Sequence, residues 1–206
     1  MRRLFPAACL AAFLLAGAAS AVRPSSYFNW VSETFPAWIG AGVLVAMHRR
    51  FPLTPIVYAL LTVFCVILFV GGHYTYAEVP LGEWMKGWFG LQRNHFDRIG
   101  HFFQGVVPAM IVRESLLRRT PLQPGTRVAL LGCASALAIS ALYELFEWQY
   151  AVIFGGEAAA DFLGSQGDPW DAQQDMATAL FGSILAQVLL GRWHDRQIAR
   201  LTTRAS

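Results

Sequence analysis

Asn94-His95-Phe96-Asp97-Arg98-Ile99-Gly100-His101-Phe102-Phe103-Gln104, residues 94–104, is the stretch on which the reading of the chain turns. It opens an apolar run, Phe102 to Val112, that suits lipid, yet it carries His95, Asp97, Arg98 and His101. Ionisable side chains inside a membrane span are expensive, so they face the bundle interior and serve a site or a buried ion pair. Asp97 and His101 are four residues apart and share one helical face. The surrounding sequence agrees with a membrane setting: of 206 residues 55% are hydrophobic and 14% charged, and the mean hydropathy is +0.42. This composition predicts one all-α, polytopic transmembrane helix bundle of about six spans, a single membrane-embedded domain over residues 1–206.

The formal net charge is only +3, and the basic residues are dispersed at segment ends. No basic stripe follows a phosphate backbone, so nucleic acid is excluded as a partner, and membrane lipid is the expected one. Cys9, Cys65 and Cys133 each lie in an apolar run and read as packing residues.

Residues 1–22 begin with Arg2 and Arg3 and end in Ala19-Ser20-Ala21, which makes them a first span or a signal peptide, with the span preferred. The second span is expected from Trp30 to Met47 and the third from Pro55 to Gly72. Residues 80–93, with Trp84, Lys86 and Trp88, read as an interfacial segment. The fourth span runs from His95 to Val112, and the fifth begins near Val128 and reaches Trp148. An acidic, Gly-rich loop with Glu157 and Asp161 follows. Asp168 and Pro169 predict an N-cap and first helical residue for the sixth span, which ends at Arg192 before a basic tail, residues 193–206.

Positive charge sets the expected orientation. Arg2, Arg3, Arg49, Arg50, Arg113, Arg118, Arg119, Arg127, Arg192, Arg196, Arg200 and Arg204 fall on one side, leaving Arg23, Lys86, Arg93 and Arg98 on the other. Twelve against four, alternating span by span, puts both termini in the cytoplasm of a bacterial inner-membrane protein if the first span is uncleaved. Depth follows from the basic stops. Arg49 to Glu33, Arg113 to Asp97 and Val128 to Glu144 are sixteen residues each, and Arg192 to Asp175 is seventeen. At 1.5 Å per residue, four spans therefore carry a carboxylate roughly 24–26 Å up, just beneath the outer interface.

At that level Asp97, His101, Asp175, Asp171 and His73 form a candidate ligand set for one divalent metal ion, with zinc, manganese or iron equally suited. Glu144 and Glu147, three apart on one face, are candidates for general base, and Arg98 or Arg93 for holding an anionic headgroup. Gln104, Gln149, Gln173 and Gln174 are placed to hydrogen-bond the ligands. Simpler roles stand beside these. Asp168 and Asp171 fit a helix cap and first turn, His95 an interfacial hydrogen bond, and Asp97 with Arg98 a buried pair holding helices together.

His73-Tyr74-Thr75-Tyr76, Asn94 to His101, Tyr143-Glu144-Leu145-Phe146-Glu147-Trp148, and Gly167-Asp168-Pro169-Trp170-Asp171 with Asp175-Met176 together resemble the YjdF family of bacterial inner-membrane proteins, over nearly the whole chain. That resemblance implies membrane location and no particular reaction. Shorter motifs, Asp97-Arg98 with His101-Phe102 and Asp171 and Asp175 ahead of Gly182, are similar to VanZ-like proteins, a family associated with resistance to glycopeptides that act at the cell surface. The functional expectation is an outward-facing metal site acting by hydrolysis or transfer on a lipid or envelope precursor. The alternatives are a proton- or cation-coupled binder or transporter, and a structural membrane protein without enzymatic activity. No Gly-Xaa-Ser-Xaa-Gly elbow, phosphate loop or His-Glu-Xaa-Xaa-His run is present.

Overall fold

A computed structural model of the chain describes residues 4–156 and 162–202. Arg2, Arg3, Glu157, Asp161 and Arg204 of the sequence reading lie outside the described residues. The elements are α1 (Leu4–Ser20), α2 (Tyr27–Met47), α3 (Pro55–Tyr74), a 3-10 turn (Tyr76–Glu78), α4 (Pro80–Phe89), α5 (Phe96–Arg119), α6 (Thr126–Phe154) and α7 (Asp171–Thr202). α2, α3, α6 and α7 are long and apolar enough to cross a membrane, while α1 is apolar but shorter. The protein is an all-helical membrane bundle. Large apolar side chains such as Leu142, Ile153, Val188 and Leu189 point outward, as a lipid-facing surface requires.

The bundle is built on α5, which packs against α7, α6 and α3. Small residues permit the close approach, because lipid offers no hydrophobic drive between helices and backbone contact must supply the packing energy. A Cβ on Gly105 would fall on the Ala179 carbonyl, and one on Gly182 would fall on the Phe102 carbonyl. Ala109, Ala136, Ala179 and Ser183 at these crossings are fully buried. On the far side α1 and α2 lean on α3 through Phe13, Trp38 and Phe69, whose rings meet at 5.0–5.4 Å between centroids.

Helix starts follow local chemistry. Ser26 accepts from the Asn29 amide before α2, and Pro55 stands in the first turn of α3. Gly90, at φ 64°, ends α4 in the left-handed conformation that glycine tolerates best. Asn94 is fully buried and locks the entry to α5. Its Oδ1 accepts from the Phe96 amide at 3.0 Å, while its Nδ2 donates to the Val79 carbonyl at 3.0 Å and to Glu83 at 3.1 Å.

α5 and α6 run on to Arg119 and Phe154, past the expected Val112 and Trp148, and both ends of α7 differ from expectation. α7 begins at Asp171, two residues after the Pro169 start that the Asp168 cap implied, because Asp168 Oδ1 accepts from the Trp170 amide at 2.9 Å and closes a separate turn ahead of the helix. The expected basic tail instead continues α7 as helix to Thr202. There His194 is fully buried, and Gln197 Oε1 accepts from the Ile56 amide at 3.0 Å. Reaching back to cap α3 gives this segment a reason to stay helical.

Candidate functional site

Four of the predicted residues converge. α5 presents Asp97 and His101 one turn apart, α7 presents Asp175, and α6 presents Glu144. His101 Nε2 lies 3.5 Å from Asp97 Oδ1 and 3.8 Å from Asp175 Oδ1, and its Nδ1 lies 3.5 Å from Glu144 Oε1. Asp97, His101 and Asp175 are buried and each offers a ligand atom within 4.8 Å of the others. The level counted from the basic stops is therefore a real meeting place, because three adjoining helices carry their acids at equal height.

The histidine's tautomer gives the cluster chemical direction. His101 Nδ1 lies 2.9 Å from Gln104 Oε1, an acceptor that calls for N–H at Nδ1. Nε2 then faces two carboxylates, so it carries either a proton or a lone pair aimed at a cation between them. A ring held by a hydrogen bond at one nitrogen and free to ligate at the other is the usual arrangement of a metal-binding histidine.

The arginines stand differently from expectation. Arg93 donates to Asp171 Oδ1 at 2.7 Å, to Asp168 Oδ2 at 3.3 Å and to the Gly164 carbonyl at 3.1 Å. Arg98 donates to Asp171 Oδ1 at 2.6 Å, pairs with Asp175, and lies 3.6 Å from Asp97 Oδ2. Both guanidiniums are occupied by aspartates of the α7 start, and Asp171 bridges the pair. Asp168, outside the spans, has its carboxyl held below the ordinary aspartate range, first by the Trp170 amide and then by Arg93. His73 is not brought to the cluster. It sits where α3 ends beside α1, with Nδ1 2.8 Å from the Ser20 carbonyl.

Glu147 is buried and lines, with Asp97, His101 and Glu33, the polar end of one cavity. Glu33 was visible in the depth count but was not grouped with the site. Its carboxylate lies 3.5 Å from the Tyr143 hydroxyl, which joins α2 to the constellation. Tyr76 and Tyr143 also line this end, and nothing in their spacing along the chain announced it.

A second polar centre at the other end of α5 was read as cytoplasmic charge. Glu114 is fully buried and accepts from the Thr54 amide at 3.0 Å, the Thr54 hydroxyl at 2.7 Å, Arg118 at 2.6 Å and His194 at 3.0 Å. Arg113 donates to Asp195 at 2.6 Å and to Gln187 at 2.9 Å. Its one advance signal was the i, i+4 spacing of Glu114 and Arg118.

A family model described as "Predicted membrane protein (DUF2238)" matches residues 5–196. The inner membrane protein YjdF of Escherichia coli (strain K12) is 49% identical over 172 residues, which cover 84% of this chain and 82% of that protein. No solved structure matches.

Proposed function

The chain belongs to the DUF2238 family of membrane proteins, and within that setting we propose that Asp97, His101 and Asp175 hold one divalent metal ion at a site that acts by hydrolysis or transfer on a membrane-borne substrate. The observation that carries this reading is the orientation of His101: with Nδ1 turned to Gln104 Oε1 at 2.9 Å, Nε2 faces Asp97 Oδ1 at 3.5 Å and Asp175 Oδ1 at 3.8 Å. Nitrogen and carboxylate donors in this mixture suit zinc, manganese or iron. A bound metal supplies Lewis acidity and an activated water. Glu144, 3.5 Å from His101, is the residue that takes up a proton, with Glu147 one turn further along α6. Arg98 keeps Asp171 and holds the ligand-bearing helices α5 and α7 together. The site faces the periplasm, with both termini in the cytoplasm of a bacterial inner membrane.

A second reading has its own observation. Arg98 pairs with Asp175 and approaches Asp97, so a protonated His101 with Arg98 forms a closed ion-pair network that binds helices and nothing else. Elemental analysis beside a melting curve separates the two. The metal reading expects near-stoichiometric divalent metal after mild, chelator-free purification, and loss of most of it in Asp97→Asn and His101→Gln at unchanged expression. Metal-free wild type with strongly destabilised variants establishes the ion-pair network and refutes the metal.

A further inference from the structure

Asp97, His101 and Gln104 also line a cavity of about 490 Å³ bounded by α1, α2, α3, α5 and α6. That volume lies within the roughly 300–1,000 Å³ typical of small-molecule sites, but its shape is elongated. Glu33, Asp97, His101 and Glu147 line one end, and His48 and Tyr58 line the other, where the His48 Nδ1 and the Tyr58 hydroxyl meet at 2.6 Å. His48, directly after α2, is fifteen residues from Glu33, or about 22 Å along the helix axis. Between them the walls are hydrocarbon, supplied by residues such as Leu44, Leu61, Phe64, Val107 and Ile139. A water-soluble metabolite has no use for such a tube, whereas a hydrocarbon chain with a polar head fits it end to end.

The cavity lies where α2 and α6 face each other. α2 packs its backbone closely on α3, but it reaches α6 through side chains: Phe35 on Phe146 at 5.6 Å, Phe28 on Tyr150 at 6.0 Å, and Glu33 toward Tyr143. A chain entering from the bilayer would pass between those side chains. Pro36 and Pro108 both line the cavity. Having no N–H, each deprives the carbonyl four residues earlier, that of Ser32 or Gln104, of its helical donor.

The head end is rich in acceptors. Glu33, Asp97, Glu147 and Gln104 stand there with Tyr76 and Tyr143, and no Arg or Lys lines the cavity among the described residues. Arg93 and Arg98 are held by Asp168, Asp171 and Asp175. At this end His101 is, among the described residues, the one lining group able to carry positive charge, and Glu33, Asp97 and Glu147 outnumber it, so a bare anionic head is disfavoured. We propose that the cavity binds a lipid with a single long hydrocarbon chain whose head donates hydrogen bonds, an amine or a hydroxyl, delivered to the Asp97 and His101 end. The inference rests on the proposed function for the reacting end alone, since chain binding requires no metal.

The test uses the full chain in phosphatidylcholine nanodiscs with EDTA throughout, and three probes carrying a diazirine at the chain terminus: hexadecylamine, hexadecanol and hexadecyl phosphate. The amine and alcohol are expected to label residues at the His48 and Tyr58 end, and the phosphate about tenfold less. Gly40 lines the cavity, and a Cβ there meets nothing within 4 Å. Gly40→Trp should therefore cut labelling by about tenfold or more at unchanged melting temperature. Gly42→Trp is the control: a Cβ at Gly42 also enters open space, off the cavity, so labelling should persist. Labelling confined to outward helix faces, or indifferent to Gly40→Trp, overturns the cavity, and the mapped positions decide this even where a tryptophan variant misfolds. Equal labelling by the phosphate overturns the head assignment. With EDTA present, labelling of metal-free protein leaves the cavity standing if the metal reading falls, and bound metal without labelling does the reverse.

Discussion

Removing the Glu114 carboxylate should unsettle the protein more than removing any surface charge. Glu114 and His194 have no exposed surface, and neither does Thr54, which begins α3. Glu114→Ala leaves the Thr54 amide and hydroxyl, Arg118 and His194 without their shared acceptor in a place water does not reach. Breaking a buried ionic contact from one side costs about 3–5 kcal/mol. At about 2–4 °C per kcal/mol for a chain of this length, the melting temperature should fall by about 6–20 °C. Glu114→Gln keeps one oxygen for the Thr54 amide and should fall between Glu114→Ala and wild type. Arg49→Ala, at an exposed position, should stay within about 0.5 kcal/mol of wild type. The assay is thermal unfolding in one detergent, followed by circular dichroism or by a thiol dye at the partly buried cysteines. A Glu114→Ala melting point within about 2 °C of wild type would refute the reasoning, since it would mean that the carboxylate is hydrated or that the end of α7 does not pack on α3.

Gly105→Ala should lower both yield and melting temperature, by about 1–3 kcal/mol or more in overpacking, because its Cβ falls on the Ala179 carbonyl. Gly87→Ala, with open space around it, should be neutral or slightly stabilising. A cysteine at the exposed Glu83, in a background lacking the three native cysteines, should react with an impermeant thiol reagent in intact cells; reaction only after lysis reverses the proposed orientation. Because the Asp168 carboxyl is held below its ordinary value, it favours the folded state above about pH 4 and loses that contribution as pH falls through the lowered value. The melting temperature should therefore decline below about pH 4, and Asp168→Asn should flatten part of that decline.

The helices and the level of the acids were legible for a simple reason. A span must keep its length between two interfaces, so the distance from each basic stop to an acid fixes its height before any packing is known. Height alone put Asp97, Glu144 and Asp175 at one level, and the structure sets all three 3.5–3.8 Å from His101. It said nothing about azimuth or about which partner each charge meets. That is why His73, which shares the outer end, lies with α1, and why Arg93 and Arg98 are paired with aspartates. Glu114 and His194 escaped for the opposite reason. Arg113, Arg118 and Arg119 marked that end only as basic, whereas the continuation of α7 past Arg192 covers it. The cavity was not legible at all, since it depends on α2 meeting α6 through side chains such as Phe35 on Phe146.

The two polar ends of α5 differ in a way that bears on which one functions. At the Glu114 end the charges balance: Glu114 meets Arg118 and His194, and Asp195 meets Arg113, all through contacts of 2.6–3.0 Å. Such a cluster is complete, and its job ends with holding α3, α5 and α7 in register. At the other end Glu33, Asp97, Glu144, Glu147, Asp171 and Asp175 stand against the guanidiniums of Arg93 and Arg98 and the imidazole of His101. Asp171 takes up both arginines, and Arg98 reaches Asp175 as well, which leaves Glu33, Glu144 and Glu147 without a guanidinium. Helix packing gains nothing from buried carboxylates in such excess, because each costs several kcal/mol to desolvate. Protons, the proposed metal ion or the proposed donor-bearing head would neutralise them, and two of the three, Glu33 and Glu147, line the hydrocarbon-walled cavity. The end of the bundle whose charges the fold leaves unbalanced is therefore the end to which the proposed metal and lipid head are assigned.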